Sequence, residues 1–353
     1  MEQQSLPPIR GRGSADSPQN RFEGHYFEAD LNETFDDGRP PTRFLRDDTD
    51  HIISYNNSPD VGFEASINPY RGCEHGCIYC YARPTHEYLG MSAGLDFETR
   101  IMVKFNAAEL LRRELNKPNW KPQVLAMSGV TDPYQPAERR FEITRKCLEV
   151  LAESRNPVGI ITKNFLVTRD IDLLSELSRY KSASVFVSIT TLDADLVKVM
   201  EPRTSRPDRR LEAIKRLSDA GIWAGVNVAP VIPGLTDHEM PKILEKAKEA
   251  GARFAGFVPL RLPFGVSDLF VKWLSDHFPD RKEKVLNKIR DMRGGKLNNS
   301  EFGDRMRGDG NFADQIRQTF HIHTRRLGLN KERFSISTEH FRRPSLNGQM
   351  HLF

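Results

Sequence analysis

The sequence predicts an α/β fold, with parallel strands alternating with helices and a helical C-terminal extension behind them. Two observations carry this expectation. From about Ser54 to Leu260, short apolar and β-branched runs alternate with longer stretches of helical period, the mark of βαβ units and a parallel sheet. After Leu262 the strand-like runs stop and helical patterns take over. Strands joined by helices of this length form an open, partial TIM-like barrel or a doubly wound sheet, and periodicity does not choose between the two.

Residues 1–45 are rich in Pro, Gly, Asp, Arg and Ser and show neither period, so they read as a disordered N-terminal segment. The core is expected over residues 46–264. Its strands fall at Phe63–Ile67, Val124–Val130, Val158–Lys163, Ala183–Thr190, Trp223–Ile232 and Phe254–Leu260. Between them the helical period appears at Ala107–Leu115, Glu138–Glu153, Ile171–Arg179, Arg209–Ala220 and His238–Ala250. Gly221 and Gly251 stand where the last two of these helices need a C-terminal cap. Residues 265–353 form the extension and tail. Helical segments are expected there at Leu269–Phe278, over the basic stretch 281–293, and after the glycines of 303–310.

The composition narrows the class. A chain of 353 residues holds one large domain with an extension, or two domains. Its 38% hydrophobic and 28% charged residues fit a globular core diluted by polar tails. The net charge of +4, from 52 basic and 48 acidic residues, excludes the chain as a whole from being a polyanion binder, while local basic clusters stay open. No apolar run approaches the roughly 20 residues that cross a bilayer, so no membrane partner is expected. The N-terminal stretch lacks the apolar centre of a secretory signal, and a cytoplasmic, reducing location follows.

Four cysteines in that compartment are not a disulfide set. Cys73, Cys77 and Cys80 lie within eight residues, whereas Cys147 sits alone on an apolar helical face and reads as core. The spacing C-x3-C-x2-C puts three thiolates on one compact loop just after the first strand. Three soft ligands suit a [4Fe–4S] cluster and leave one iron without a protein ligand. Gly72 and Gly76 supply the backbone freedom to wrap it. The competing reading is structural zinc with His75 or His86 as fourth ligand, but zinc sites usually pair two knuckles and no second cysteine pair exists.

C-x3-C-x2-C with an aromatic, Tyr79, before the last cysteine resembles the signature of the radical S-adenosylmethionine (SAM) superfamily. Residues 66–233 are further similar to its spore photoproduct lyase branch. The shared features are Tyr79 and Tyr81 flanking Cys80, Thr162–Lys163 ending the third strand, and Ser188 to Thr191 at the fourth. They continue with Glu201-Pro202-Arg203-Thr204-Ser205 and with Val228 to Val231 ending the fifth strand. The resemblance implies a partial (β/α)6 TIM-like barrel of the radical SAM type, a [4Fe–4S] cluster, SAM, and a low-potential electron donor such as a flavodoxin or ferredoxin. SAM would chelate the open iron, and its reductive cleavage would give a 5′-deoxyadenosyl radical.

The resemblance also implies roles for single residues. Tyr79 would pack near the adenine, and Lys163 would pair with the SAM carboxylate. The segment Ser128-Gly129-Val130-Thr131-Asp132 stands where the superfamily often has Gly-Gly-Glu, so Gly129, Thr131 and Asp132 are candidates for the SAM amino group. Ser188 and Thr190, two apart on one strand, would face the ribose or carboxylate. Tyr81 would relay a hydrogen atom late in the cycle. One departure bears on function: the lyase keeps a cysteine near the end of strand two, where this sequence has Ser128-Gly129, so spore photoproduct repair is not the expected activity. Basic stretches with aromatics, Arg281–Arg293, Arg305–Arg317 and His321–Arg326, make nucleic acid a candidate partner, although acidic neighbours dilute them. Two other classes stand against the enzyme: a non-catalytic iron–sulfur protein that transfers electrons or senses redox state, and a zinc-stabilised nucleic-acid-binding protein.

Overall fold

A computed structural model of the chain describes residues 8–18, 20–22, 40–332 and 335–345. Ten strands run in chain order: β1 Arg43–Arg46, β2 Ile53–Tyr55, β3 Ala65–Ile67, β4 Tyr70–Arg71, β5 Arg100–Val103, β6 Leu125–Met127, β7 Val158–Thr162, β8 Ala183–Ser188, β9 Trp223–Val231 and β10 Phe254–Pro259. Seven form one open sheet in the order β10-β9-β8-β7-β6-β3-β2. The six from β3 to β10 pair in parallel and fall within the six expected strands. In register, Ala65 meets Leu125, Leu125 meets Val158 and Val158 meets Ala183. The carboxyl ends of these strands therefore come up together on one side.

β2 adds to β3 antiparallel, and β1, β5 and β4 make a second small sheet. Both were missed because strands of two to four residues carry no measurable period. β8 stops at Ser188 rather than at Thr190, and β9 at Val231.

The helices are α1 Asp96–Thr99, α2 Ala107–Leu115, α3 Glu138–Phe141, α4 Ile143–Ser154, α5 Ile171–Arg179, α6 Ala194–Met200, α7 Pro207–Asp219, α8 Met240–Glu249, α9 Val266–His277, α10 Lys282–Asp291, α11 Asp304–Arg307 and α12 Gly310–Leu327. The single helix expected over Glu138–Glu153 is two, broken at Glu142 with φ of 53°. The buried Glu138 carboxylate explains the break. It accepts the N–H groups of Thr144 and Arg145 at 2.9 and 3.2 Å and so caps α4, which starts afresh. α6 was not expected; Asp193 caps it by accepting from Asp195 and Leu196.

Part of the segment expected to be disordered, 1–45, lies outside the described residues. Its described residues make directed contacts instead. Arg43–Arg46 pairs with β5 as β1, and residues 12–14 are bound to the buried Glu98. These contacts satisfy polar backbone rather than bury an apolar face, and periodicity does not register them.

One apolar core lies around the large sheet. A second joins Ile78 and Tyr79 of the cysteine loop to Phe270 and Trp273 of α9 and to Val285 and Leu286 of α10. The extension is thereby packed on the loop. It also laces the two edges of the sheet. Buried Arg293 donates to the carbonyls of Leu260, just past β10, at 2.7 Å, and of Asp304 and Arg305 at 2.7 and 3.1 Å. Arg305 then donates to Asp60 at 2.5 Å and to Ser58 at 2.6 Å, in the loop between β2 and β3. None of the described helices is long and apolar enough to cross a membrane.

Replacing Arg293 with Met keeps the bulk but orphans three carbonyls, each costing roughly 1–3 kcal/mol if left buried and unpaired. We expect a loss of about 3 kcal/mol or more in denaturant unfolding, and faster hydrogen exchange over residues 303–308 than elsewhere. Uniform exchange and unchanged stability would show that Arg293 does not tie the extension down.

Candidate active site at the cysteine loop

β4 leads directly into the cysteine loop, and glycine is required at its first turn. Gly72 has φ of 79°, and a Cβ there would sit 3.0 and 3.1 Å from the carbonyl oxygens of Phe97 and Arg100. The loop backbone is pinned at both ends, with Cys73 N–H donating to Phe97 at 2.8 Å and Ile78 N–H to Met200 at 3.1 Å. Its middle is held by Arg83, which is fully buried. Arg83 donates to the carbonyls of Gly76 and Cys77, and to those of Ala93 and Gly94, at 2.9–3.3 Å. Its charge is met by Glu98 at 2.5 Å, with both side chains 0% exposed. Glu98 in turn accepts from the N–H groups of Gly13 and Ser14. A Cβ on Gly13 would lie 1.7 Å from the Gly76 carbonyl oxygen, so the N-terminal segment lies directly on the loop.

The acidic and basic residues between the cysteines are also fixed. Glu74 pairs with Arg203 at 2.9 Å, and His75 stands 3.4 Å from Asp132 and 3.2 Å from the Asn164 amide. Gln135 bonds the loop twice, accepting from Glu74 N–H and donating to the Gly72 carbonyl. Cys73 and Cys77 are buried and Cys80 is partly so. Burial pushes all three thiols up. Asp132 and the other two thiols push Cys73 further, and Glu201 does the same to Cys77. Protonated thiols in such a place become ligands when a positive centre stabilises the thiolates. Among the described residues, no three His, Cys, Asp or Glu side chains converge on a single metal ion. A cubane distributes its thiolates over separate irons and does not ask for that convergence, as a zinc site does. Three soft donors on one rigid loop fit such a cluster. Cys147, as expected, lies in the main core.

The strand ends bring the other expected residues to the same place, with unequal freedom. Lys163, just past β7, donates its ammonium to the Ala229 carbonyl at 3.1 Å and lies 5.8 Å from the Tyr79 ring centre. Burial pushes that ammonium below its usual value, while Cys77 draws it back up. Ser188 is buried at the end of β8, and its hydroxyl makes no hydrogen bond among the described residues. Gly129 has φ of 105° with open space around a would-be Cβ, the nearest atom being on Phe63 at 4.0 Å.

Three further expected residues make hydrogen bonds within the frame. Asp132 accepts from Tyr134 N–H and the Thr162 hydroxyl with one oxygen, and from Lys163 N–H with the other. Burial would raise its carboxyl, but His75 and these donors hold it below the usual range. The Thr131 hydroxyl donates to the Tyr70 carbonyl at 3.1 Å. Thr190 is turned inward, 2.7 Å from Glu201 and 2.9 Å from the Ala229 carbonyl. Tyr79 is buried too, and its hydroxyl donates to Glu201.

The pair that organises this wall went unrecognised as such in the sequence: Glu201 and Arg210, both side chains 0% exposed. Arg210 also donates to the carbonyls of Ser188 and Ser205 and to the Thr204 hydroxyl. The signal was present, since Glu201 opens the Glu-Pro-x-Thr-Ser motif and Arg210 stands in the basic helix start after it. A run of arginines on a helix is ordinarily solvated, so nothing in the pattern singled out the buried one.

Tyr81 stands apart from this buried wall. It is 47% exposed, and desolvation by the groups packed on it pushes its phenol up to about 12. Its hydroxyl donates to the Gly129 carbonyl at 2.5 Å, and the Arg261 guanidinium lies 5.1 Å from its ring centre.

Removing one member of a buried pair leaves the other charge uncompensated, at roughly 3–5 kcal/mol. Arg210→Met is therefore expected to lower stability by that order and to release Tyr79 and the end of β8 together, read as faster hydrogen exchange at 188–191. A loss below about 1 kcal/mol would mean that water reaches Glu201 and that the pair is not the anchor of this wall.

Comparison with known proteins identifies the family and the fold. Residues 67–247 match the Radical SAM superfamily. An uncharacterized protein of Mycobacterium tuberculosis is 38% identical over 226 residues, 64% of this chain and 66% of that protein, so the likeness falls just short of two-thirds of its length. One of Methanocaldococcus jannaschii is 31% identical over 227 residues, 64% of this chain and 81% of the relative. A protein of Pseudomonas phage M6 named Radical SAM Nalpha-GlyT isomerase is 30% identical over 173 residues, 48% of this chain and 34% of its own. Among solved structures, spore photoproduct lyase with bound AdoMet and dinucleoside spore photoproduct shares the fold, with a TM-score of 0.58 and 16% identity over 81% of this chain and 80% of that one. With the family pattern spanning the cysteine loop and the strands up to α8, the chain belongs to the radical SAM superfamily.

Proposed function

We propose that Cys73, Cys77 and Cys80 hold a [4Fe–4S] cluster, and that the chain is an enzyme cleaving SAM reductively to act on a nucleic acid substrate. The observation that carries the first part is the rigid three-thiol loop facing Lys163 at the carboxyl ends of parallel strands. When bound, the cluster would supply one electron to the sulfonium, giving methionine and a 5′-deoxyadenosyl radical that takes hydrogen from the substrate.

The chain's own residues bind and orient. Lys163 would meet the SAM carboxylate as a point charge. The SAM ammonium would be received by the backbone around Gly129, because Asp132 and Thr131 are occupied by the frame. Ser188, whose hydroxyl has no described partner, is the better candidate of its pair for the ribose or carboxylate. Tyr79 would present a ring edge or face to the adenine, fixed by Glu201. Tyr81, beside Cys80, would relay a hydrogen atom to or from the substrate. We take residues 46–264 as the core and 265–353 as the extension that flanks its mouth.

Two features support a nucleic acid substrate. Cation–aromatic pairs stand beside the cysteine loop and at the sheet edge, Arg261 with Tyr81 and Arg305, itself paired with Asp60, with the exposed Phe302; rings beside guanidinium groups accommodate bases and phosphates. The lyase structure holds a dinucleoside. The missing cysteine equivalent at Ser128-Gly129 argues against the lyase's own repair reaction. A non-catalytic iron–sulfur protein would have no use for Lys163 and Tyr81 at the strand ends. The enzyme needs a low-potential reductant, a flavodoxin or ferredoxin being the proposed class.

Anaerobic reconstitution is expected to give a brown protein with one cluster. Ala at position 73, 77 or 80 should abolish it, while Cys147→Ala should leave it intact. Stoichiometric zinc with no iron after reconstitution would defeat the proposal.

Lys163→Ala and Tyr81→Phe are expected to separate SAM binding from radical handling. Lys163→Ala should keep the cluster and weaken SAM binding by about ten- to a hundredfold, the worth of a charge-assisted contact of roughly 1.5–3 kcal/mol. Tyr81→Phe deletes only a hydroxyl, so SAM affinity and 5′-deoxyadenosine yield should persist while substrate conversion falls. Loss of SAM binding in Tyr81→Phe would place the residue in the cofactor pocket and end the relay idea.

A further inference from the structure

Buried arginines in this fold are saturated. Arg83 bonds four carbonyls and a carboxylate. Arg210 bonds two carbonyls, a hydroxyl and a carboxylate. Arg293 bonds three carbonyls. Arg261, one residue past the Leu260 carbonyl that Arg293 holds, is half-buried and breaks this pattern. A guanidinium carries five N–H donors and is strongly penalised when they are buried without partners. The Arg261 Nε is buried and has no hydrogen-bond partner, and Nη1 finds only the Met306 sulfur at 3.3 Å, a weak acceptor. Nη2 makes no hydrogen bond among the described residues.

The charges around it do not explain the arrangement. The nearest carboxylate, Asp60, is engaged by Arg305 at 2.5 Å and by the Gly303 N–H at 2.7 Å. Arg293 and Arg305 add positive charge of their own, and burial pushes the Arg261 guanidinium below its ordinary value. What holds Arg261 in place is packing: its guanidinium lies 5.1 Å from the ring centre of Tyr81, whose hydroxyl reaches the Gly129 carbonyl. The donor fork is thus fixed at the mouth, one side chain away from Cys80 and from the end of β6, with its hydrogen-bonding capacity unspent.

We propose that Arg261 is a substrate-binding residue that takes a phosphodiester oxygen pair of the nucleic acid, setting the flanking phosphate while the reacting nucleotide lies against Tyr81. The proposal rests on the nucleic acid reading above and deepens it. A planar fork stacked on an aromatic ring suits bidentate phosphate recognition, which a lysine in its place would not reproduce. Met306 sits in α11 of the extension, so the thioether partner is an exchangeable placeholder: a phosphate oxygen is a far stronger acceptor and would replace it.

The test uses the full-length, anaerobically reconstituted protein and a fluorescein-labelled oligothymidylate, with anisotropy titrations from about 50 to 200 mM salt. Cluster absorbance and thermal unfolding check that Arg261→Gln and Arg261→Lys are folded. Arg261→Gln is expected to weaken binding about tenfold and to flatten the slope of log affinity against log salt by about 0.7, one phosphate contact on a single strand. Arg261→Lys, the second variant should the first not fold, is expected to keep the slope but lose affinity by about threefold or more, since it retains the charge without the fork. An oligomer with an uncharged methylphosphonate backbone should bind wild type and Arg261→Gln alike. Unchanged affinity and slope in Arg261→Gln, with wild type binding well, overturns the phosphate clamp and leaves the nucleic acid reading standing. The same holds for Arg261→Lys binding as tightly as wild type. Failure of wild type to bind the oligothymidylate at all overturns the nucleic acid reading and the clamp with it.

Discussion

The cysteine loop depends on one buried ion pair, Arg83 with Glu98. A pair taken wholly out of water is costly, and it is tolerated only when every remaining donor and lone pair is used. Here they are: Arg83 spends its other donors on carbonyls, two of them within the cysteine loop itself, and Glu98 receives the backbone of Gly13 and Ser14. The pair therefore works as a junction. It converts a stretch of chain with no regular hydrogen bonding into a fixed platform, and it fastens a distant N-terminal segment over that platform. A loop that must present three thiols at set positions cannot rely on a ladder or a helix, and a saturated guanidinium is the substitute.

The opposite wall repeats the device. Arg210 and Glu201 tie the end of β8, the loop before α7 and the Tyr79 hydroxyl into one unit. Lys163, Ser188 and Gly129 stand at or just past the carboxyl ends of β7, β8 and β6. Charges in this protein are thus sorted by use. Those that build the walls are paired and fully bonded, whereas the ammonium of Lys163 is held by a single carbonyl and the Ser188 hydroxyl by no described group. Groups left with spare capacity at the ends of parallel strands are the ones a ligand can recruit.

Much of this was legible in the sequence, and the reasons differ by level. The six parallel strands were readable because strands buried on both faces are continuous apolar runs, and the helices because their faces repeat. The cysteine loop was readable as a candidate metal site because its C-x3-C-x2-C spacing is one that folding alone does not call for. What stayed hidden was connectivity through polar atoms. Glu138 capping α4, Asp132 receiving Thr162 and Lys163, and Glu98 gripping residues 13 and 14 are long-range bonds with no period. For that reason the bonds of Asp132 to Lys163, of Thr131 to Tyr70 and of Thr190 to Glu201 were not foreseen. A carboxylate near a site reads the same in sequence whether it faces a ligand or the backbone behind it.

The open sheet sets the last constraint. Because β2 and β10 do not meet, a gap is left between the two edges of the sheet, and an open edge must be covered or managed. The extension covers it with arginines, Arg293 gripping the end of β10 and Arg305 reaching across to Asp60. Covering the gap with apolar side chains would have sealed it; here Arg305 is paired with Asp60, while Arg261 packs on the Tyr81 ring and Phe302 stays exposed. The same segment that ties the sheet's edges together thus also sets Arg305 and Phe302 beside them. On the reading proposed above, the edge of the sheet rather than the fold itself is where this chain's specificity would be written.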